Sequence, residues 1–179
     1  MLTPIRRTAI ATILATTCLV TADALRAQPA NQADAFTTAT GLVAALYEEV
    51  TFAVGDSPDW ERVKSMFLDQ ATVVLRTSRE ETTIFSVDGF VRDFIAFIDR
   101  AQVHETGFEE RVIRSKPLVF GDIAHVLVLY EAQIPGSERA PLQGVDSFQL
   151  IRKDGRWWIV AVTNELPTAD SPIPPELLD

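Results

Sequence analysis

Cysteine and histidine are the scarcest reactive residues in this chain of 179 residues, which has one cysteine, Cys18, and two histidines, His104 and His125. Metal sites usually show histidines or cysteines at short spacings such as H-x-x-H, and no such pair occurs here. The sequence also has no serine in a G-x-S-x-G elbow and no glycine-rich loop that could hold phosphates. We therefore expect no metal and no cofactor, and we disfavour hydrolase and nucleotide-dependent chemistry.

Positive charge is also scarce, with 16 Lys and Arg against 25 Asp and Glu and a net charge of −9. A chain this acidic, without a basic stripe, binds nucleic acid poorly and is repelled by anionic lipid. We expect no nucleic-acid partner.

The first residues are typical of a secretory signal peptide. Arg6 and Arg7 precede an apolar run over residues 9–20, which is too short to span a membrane, and small residues follow it. We predict cleavage after Ala27 and an exported protein, periplasmic or secreted. The arginine pair leaves open twin-arginine rather than general secretory export. Cys18 would leave with the peptide, which excludes disulfides and thiolate chemistry from the mature chain.

The predicted organisation is a signal peptide at 1–27, a leader at 28–33, one domain at 34–166 and a proline-rich tail at 167–179. Apolar residues at helical spacing from Phe36 to Val54 predict a first helix that ends at Gly55. A second helix is predicted to begin at Ser57-Pro58, and a third after Ser86. Residues 71–76 predict a short strand.

Two dipeptides predict hairpins, and each sets a register. Asp154-Gly155 would pair Leu150 with Ile159, Phe148 with Ala161 and Asp146 with Thr163. Asp146, Phe148, Trp157 and Thr163 then share one large apolar face, and Trp158 and Val160 lie on the other. Gly121-Asp122 likewise predicts that Tyr130, Arg111 and Glu109 share an inner face and that Glu110 faces outward, an assignment that a bulge would reverse.

Three helices followed by a meandering sheet resemble the nuclear transport factor 2-like superfamily, and within it the SnoaL-like bacterial branch. The resemblance is carried by Asp154-Gly155-Arg156-Trp157-Trp158-Ile159, by the segment FLDQATV at 67–73 and by Gly121-Asp122-Ile123-Ala124. It implies an α+β fold in which a curved, mostly antiparallel sheet wraps three N-terminal helices into a cone with an apolar pocket. The superfamily also commonly forms dimers through the sheet, and Trp158 and Val160 fit that use.

The resemblance also bears on chemistry. Asp146 matches the late-strand acid with which ketosteroid isomerases donate a hydrogen bond to the substrate oxyanion. Their general base falls on Leu75 and their first-helix tyrosine falls on Glu48, beside Tyr47, so we expect no ketosteroid isomerase activity. The dehydratase branch uses paired histidines, and we do not expect His104 and His125 to meet.

The candidate site is therefore a pocket around Asp146, with Tyr130 as a second donor. Burial in apolar surroundings would raise the pKa of this carboxyl and suit it to proton transfer or to orienting a ligand. The alternative is a structural acid satisfied by Thr163, Tyr130 or an arginine. The other expected ligand-binding residues are Tyr47, Phe90, Phe94, Glu109, Arg111, Phe148, Trp157 and Thr163. Three functions stay open: binding of a small, largely apolar molecule, a cofactor-independent lyase, isomerase or cyclase reaction, and protein interaction through the outer sheet face.

Overall fold

The computed structural model describes residues 35–76 and 80–178. The predicted signal peptide and leader lie outside these residues. The helices are α1 (Ala39–Val50), α2 (Trp60–Lys64) and α3 (Val87–Ala101), and short 3-10 turns span Val103–Glu105 and Pro175–Leu177. The strands are β1 (Phe67–Arg76), β2 (Thr82–Ser86), β3 (Glu109–Phe120), β4 (Ile123–Gln133), β5 (Leu142–Lys153) and β6 (Arg156–Glu165).

The described strands form one sheet in the order β2-β1-β6-β5-β4-β3. Neighbouring strands are antiparallel except β1 and β6, which run parallel. The prediction of an α+β chain with a mostly antiparallel sheet is thereby confirmed. Both predicted hairpin turns are present, since Phe120 pairs with Ile123 and Lys153 pairs with Arg156.

Side-chain caps begin the helices, because an oxygen acceptor satisfies backbone N–H groups that have no helical partner. Thr38 Oγ1 accepts from the Gly41 N–H at 3.0 Å, and Ser86 Oγ accepts from the Gly89 N–H at 3.2 Å. Asp59 caps α2, so this helix begins later than the predicted start at Ser57-Pro58.

The helical spacing of apolar residues continues to Val54, but the first helix ends at Val50 and is therefore shorter than predicted. Phe52 instead forms a bridge with Phe108, with both backbone hydrogen bonds at 2.9 Å. This tertiary pairing overrides the local helical pattern.

A β-bulge at Val160 makes the predicted register of the last hairpin wrong beyond Leu150 and Ile159. Phe148 pairs with Val162 rather than Ala161, and Asp146 pairs with Asn164 rather than Thr163. An extra residue on one strand reverses the facing of every residue beyond it. Thr163 therefore faces outward and is exposed.

A second bulge, at Ile113 in β3, reverses the facing of the β3 residues that precede it. Val112 pairs with Tyr130 and Arg114 pairs with Leu129, so Ile113 has no partner on β4. Glu110 consequently points inward, and the predicted inward facing of Glu109 and Arg111 is wrong. Both are exposed, and the Arg111 guanidinium binds the Glu131 carboxylate at 2.6 Å.

The core lies between α1 and the inner face of the sheet. Its most completely buried side chains are Leu42, Val43, Val63, Met66, Val73, Val126, Val128, Phe148 and Ile159. Trp157 is also buried in this core, and its backbone N–H donates to the Phe36 carbonyl at 2.8 Å.

The proline-rich tail has one apolar anchor among its described residues. Leu177, in the 3-10 turn beside β3, is 1% exposed, whereas Leu178 remains exposed. No helix within 35–76 or 80–178 is long and apolar enough to cross a membrane.

Candidate functional site

A cavity of about 300 Å³ lies between the helices and the inner face of the sheet. Most of its wall is aliphatic or aromatic, formed by Leu46, Val50, Phe67, Val73, Leu75, Phe90, Phe94, Leu142, Phe148, Val162 and Leu166. The polar lining residues are fewer: Tyr47, Arg76, Glu110, Tyr130, Asp146 and Asn164. A largely apolar wall with a few convergent polar groups is the usual composition of a small-molecule site.

The Asp146 carboxylate is the centre of the polar lining. Tyr47 donates its hydroxyl proton to Asp146 Oδ2 at 2.6 Å, and Asn164 donates from Nδ2 to Asp146 Oδ1 at 2.7 Å. Asn164 Nδ2 also donates to the Tyr130 hydroxyl at 3.0 Å. The four side chains form one connected network, which we call the Asp146 network.

Local structure explains how these four groups meet. Tyr47 is one turn from the end of α1, while Asp146 and Asn164 are directly opposite each other on β5 and β6. Tyr130 of β4 is opposite Gly144 of β5, where a Cβ would collide with the phenol group. A glycine is needed there for the tyrosine to lie across β5.

Burial controls the protonation of the Asp146 network. It raises the pKa of Asp146 to about 6, although the hydrogen bonds from Tyr47 and Asn164 oppose the shift. Burial, followed by the nearby charge of Asp146, also raises the pKa of Tyr47 and of Tyr130. Both phenols are therefore protonated at neutral pH.

Glu110 adds a second carboxyl to the same cavity. Burial, followed by repulsion from Asp146, raises its pKa to about 8. The Glu110 backbone is fixed at the first residues of β3, since its N–H donates to Thr51 Oγ1 and its carbonyl accepts from the same hydroxyl, both at 2.9 Å. The carboxyl group itself accepts no side-chain hydrogen bond from any residue the structure describes.

A second cavity of about 370 Å³ adjoins the first and shares seven lining residues with it: Leu75, Arg76, Phe90, Phe94, Glu110, Tyr130 and Leu142. Its lining includes Asp93 and the exposed Arg100, which identify it as the solvent-facing end. Arg76 lies at the junction, and Glu165 binds its guanidinium through three contacts of 2.8 to 3.1 Å.

The structure brings together six of the predicted site residues, since Tyr47, Phe90, Phe94, Tyr130, Asp146 and Phe148 line the cavity. Glu109, Arg111 and Thr163 face away from it because of the two bulges, and Trp157 is buried in the core without lining it. Sequence reasoning missed Glu110 and Asn164. The apolar run Val160-Ala161-Val162, which interrupts strict alternation, is the one signal that could have indicated the bulge before Asn164.

Both histidines lie outside the cavity. His104 is exposed in a 3-10 turn, and the His125 ring is within 2.7 Å of the Gln149 amide, to which it pairs across β4 and β5. Within the described ranges, no group of three or more His, Cys, Asp or Glu residues is arranged to hold a metal ion.

No protein-family model and no curated protein matches the chain. Solved structures do resemble it. A cystatin-like protein of unknown function from Nostoc punctiforme has a TM-score of 0.56 at 12% identity, covering 73% of this chain and 89% of that protein. A nuclear transport factor 2-like protein with a cystatin-like fold, from Novosphingobium aromaticivorans, has a TM-score of 0.54 at 16% identity, covering 73% and 81%.

A third neighbour, a candidate scytalone dehydratase from Novosphingobium aromaticivorans, has a TM-score of 0.53 at 12% identity, covering 71% of this chain and 80% of that one. Identities this low establish the fold and leave the activity open. The protein has the nuclear transport factor 2-like, cystatin-like fold.

Proposed function

We propose that this protein binds a small, largely apolar molecule in the cavity around Asp146, with no reaction assigned. The observation that carries the proposal is the contrast between the largely apolar wall and the few polar groups centred on the Asp146 network. Apolar surface removed from water contributes about 25 cal/mol per Å², and a few fixed polar groups orient the bound molecule. The predicted signal peptide adds the proposal that the protein does this after export.

Filling the cavity tests this proposal. Leu75→Trp should lower the affinity for naphthalenemethanol or benzyl alcohol at least ~10-fold, because the larger side chain occupies the space of the ligand. Titration calorimetry measures the affinity, and native mass spectrometry of the gently purified mature chain detects any retained ligand. Val54→Trp is the matched control, since Val54 is exposed and does not line the cavity. Equal binding by both variants would place the ligand elsewhere.

The second candidate function is cofactor-independent proton transfer, as in a lyase, isomerase or cyclase. It is favoured by the presence of two carboxyl groups in one cavity whose pKa values, about 6 and about 8, lie on either side of neutrality. Groups with pKa values near the working pH are the most effective general acids and bases. Asp146 would carry the proton, while the non-ionisable Leu75 lines the wall at the position that matches the isomerase base.

Asp146→Asn decides between the first two functions. If Asp146 transfers a proton, turnover of a substrate that binds in the cavity should fall ~100-fold or more, while binding of that substrate persists. Ser147→Ala is the control, because Ser147 pairs with the outward Thr163. Undiminished turnover by the asparagine variant rules out proton transfer by Asp146.

The third candidate is interaction through the outer sheet face, with a second copy of the chain as the partner. Leu118, Phe120 and Ile123 are exposed apolar residues at the free end of the β3–β4 hairpin, and such patches often mark interfaces. Val160 is also exposed. Trp158 is half-buried, because the Arg156 guanidinium stacks on its ring at 3.8 Å.

Light scattering tests the homodimer. The mature chain should have the mass of a dimer, and Phe120→Asp should shift it toward monomer, because the variant buries a charge at the contact. Ile84→Asp is the control, an equally exposed apolar residue on β2 at the opposite edge of the sheet. A wild-type monomer at working concentrations contradicts this candidate.

The raised pKa values predict that stability falls as pH rises. Glu110 keeps its proton in the folded state up to about pH 8 but releases it near its ordinary pKa of 4.5 when unfolded. The folded state therefore binds more protons between these values, and the free energy of unfolding decreases through this interval. Asp146 adds the same trend up to about pH 6.

Glu110→Gln should remove most of this dependence. Denaturant unfolding at about pH 8.5 should show the variant more stable than wild type by on the order of 2 kcal/mol, with little difference at about pH 4. Glu109→Gln, which removes the same charge from the exposed neighbour, should change neither value. An unaltered pH dependence in the Glu110 variant would contradict the burial of this acid.

A further inference from the structure

We propose that the cavity selects an apolar molecule with an ammonium group, a primary or secondary amine in its charged form, and that Glu110 and Asp146 hold this group. The inference rests on the proposed binding function and specifies its ligand. It is carried by the hydrogen-bonding inventory of the lining, by its charge balance and by its aromatic wall.

The donors of the Asp146 network are almost all engaged. Tyr47 uses its one hydroxyl proton on Asp146, and Asn164 donates through Nδ2 to Asp146 and to the Tyr130 oxygen. The hydroxyl proton of Tyr130 is the one donor of the network that these contacts do not use. A ligand that presents only a carbonyl would therefore find two neutral donors, the Tyr130 hydroxyl and the protonated Glu110 carboxyl.

Acceptors are in excess. The Glu110 carboxyl receives no hydrogen bond from the described residues, Asn164 Oδ1 makes none with them, and each Asp146 oxygen has accepted only one. An ionised carboxylate has about four acceptor sites, so several remain open toward the cavity. An ammonium group supplies two or three donors from one atom and matches this excess.

The charge balance favours the same ligand. The charged and titratable groups that face Glu110 across the two adjoining cavities are Asp146, Tyr47, Tyr130, Arg76, Asp93 and Arg100. Arg76 is neutralised by Glu165, and at the solvent-facing end Asp93 offsets the exposed Arg100. The first cavity thus holds two carboxyls and no uncompensated cation, and near neutral pH a carboxylate ligand would add its negative charge beside that of Asp146.

The aromatic wall suits a cation as well. Tyr47 and Tyr130 lie with ring centroids 5.9 Å apart, Phe148 meets Tyr47 edge-on, and Phe90 and Phe94 line the other side. The negative face of an aromatic ring attracts ammonium groups, more strongly where water is excluded. Two carboxyls among aromatic rings recognise a cation on an apolar body.

Matched ligand sets test the proposal by titration calorimetry at about pH 7.5. Each set has one ring system with three end groups: naphthylmethylamine, naphthalenemethanol and naphthoate, and their benzyl and cyclohexylmethyl counterparts. In at least one set that binds, the amine should bind ~10-fold or more tightly than the alcohol and the carboxylate should bind weakest. Glu110→Gln should remove the preference for the amine, while Glu109→Gln should preserve it.

Proton release is the second measurement. An ammonium group beside Glu110 favours the ionised carboxylate, so binding near neutral pH should release a proton into the buffer. Titrations in buffers of different ionisation enthalpy count it, and Glu110→Gln should abolish it. Amine binding without release would overturn the assignment of Glu110 as the counter-ion.

The remaining outcomes separate the preference for amines from the more general proposal that the cavity binds a small apolar molecule. Alcohols or carboxylates that bind as tightly as amines, and lose their binding in Leu75→Trp, would overturn the amine preference and leave small-molecule binding intact. Failure of every set to bind the wild-type protein would overturn both.

Discussion

The hydrogen bond from Tyr47 to Asp146 joins α1 to the sheet, and the geometry of the cavity depends on it. A buried carboxylate is costly unless hydrogen bonds replace its hydration, and a hydrogen bond to a charged group contributes about 2 kcal/mol. Asn164 supplies the second bond from the neighbouring strand. With one partner on the helix and one on β6, the acid keeps its place only while helix and sheet hold their separation. The open space between them is the cavity.

Two bulges decide which side chains enter that space. Without the extra residue at Ile113, Glu109 and Arg111 would line the cavity, and the lining would be a compensated ion pair. Without the one at Val160, Asp146 would face the single hydroxyl of Thr163 in place of the Asn164 amide. Each bulge turns inward a residue that would otherwise face outward, Glu110 on β3 and Asn164 on β6. Together with Asp146, these residues give the cavity two carboxyls and one amide. The chemistry of the site follows from these two local irregularities.

The same irregularities explain how far the sequence could predict the structure. The turns at Asp154-Gly155 and Gly121-Asp122 were correctly located, because glycine and aspartate set their backbone geometry locally. Asp146, Phe148 and Tyr130 were placed on the inner face, since a strand alternates reliably when counted from a known feature. Alternation counted from the turns is wrong beyond the extra residues Ile113 and Val160, so the inward facing of Glu110 and Asn164 was not predicted. A bulge is selected by packing between strands, and alternation within one strand does not reveal it.

The position of Asp146 in the sequence resembles that of an oxyanion donor, but its surroundings make it a hydrogen-bond acceptor. A carboxyl that donates to an oxyanion must keep its proton, and hydrogen bonds donated to it favour losing that proton. Asp146 receives two such bonds, and they lower its pKa against the effect of burial. Its negative charge in turn helps to keep the proton on Glu110. In this cavity Asp146 is therefore an acceptor, and the more readily protonated acid is Glu110 on β3, where a bulge has turned it inward.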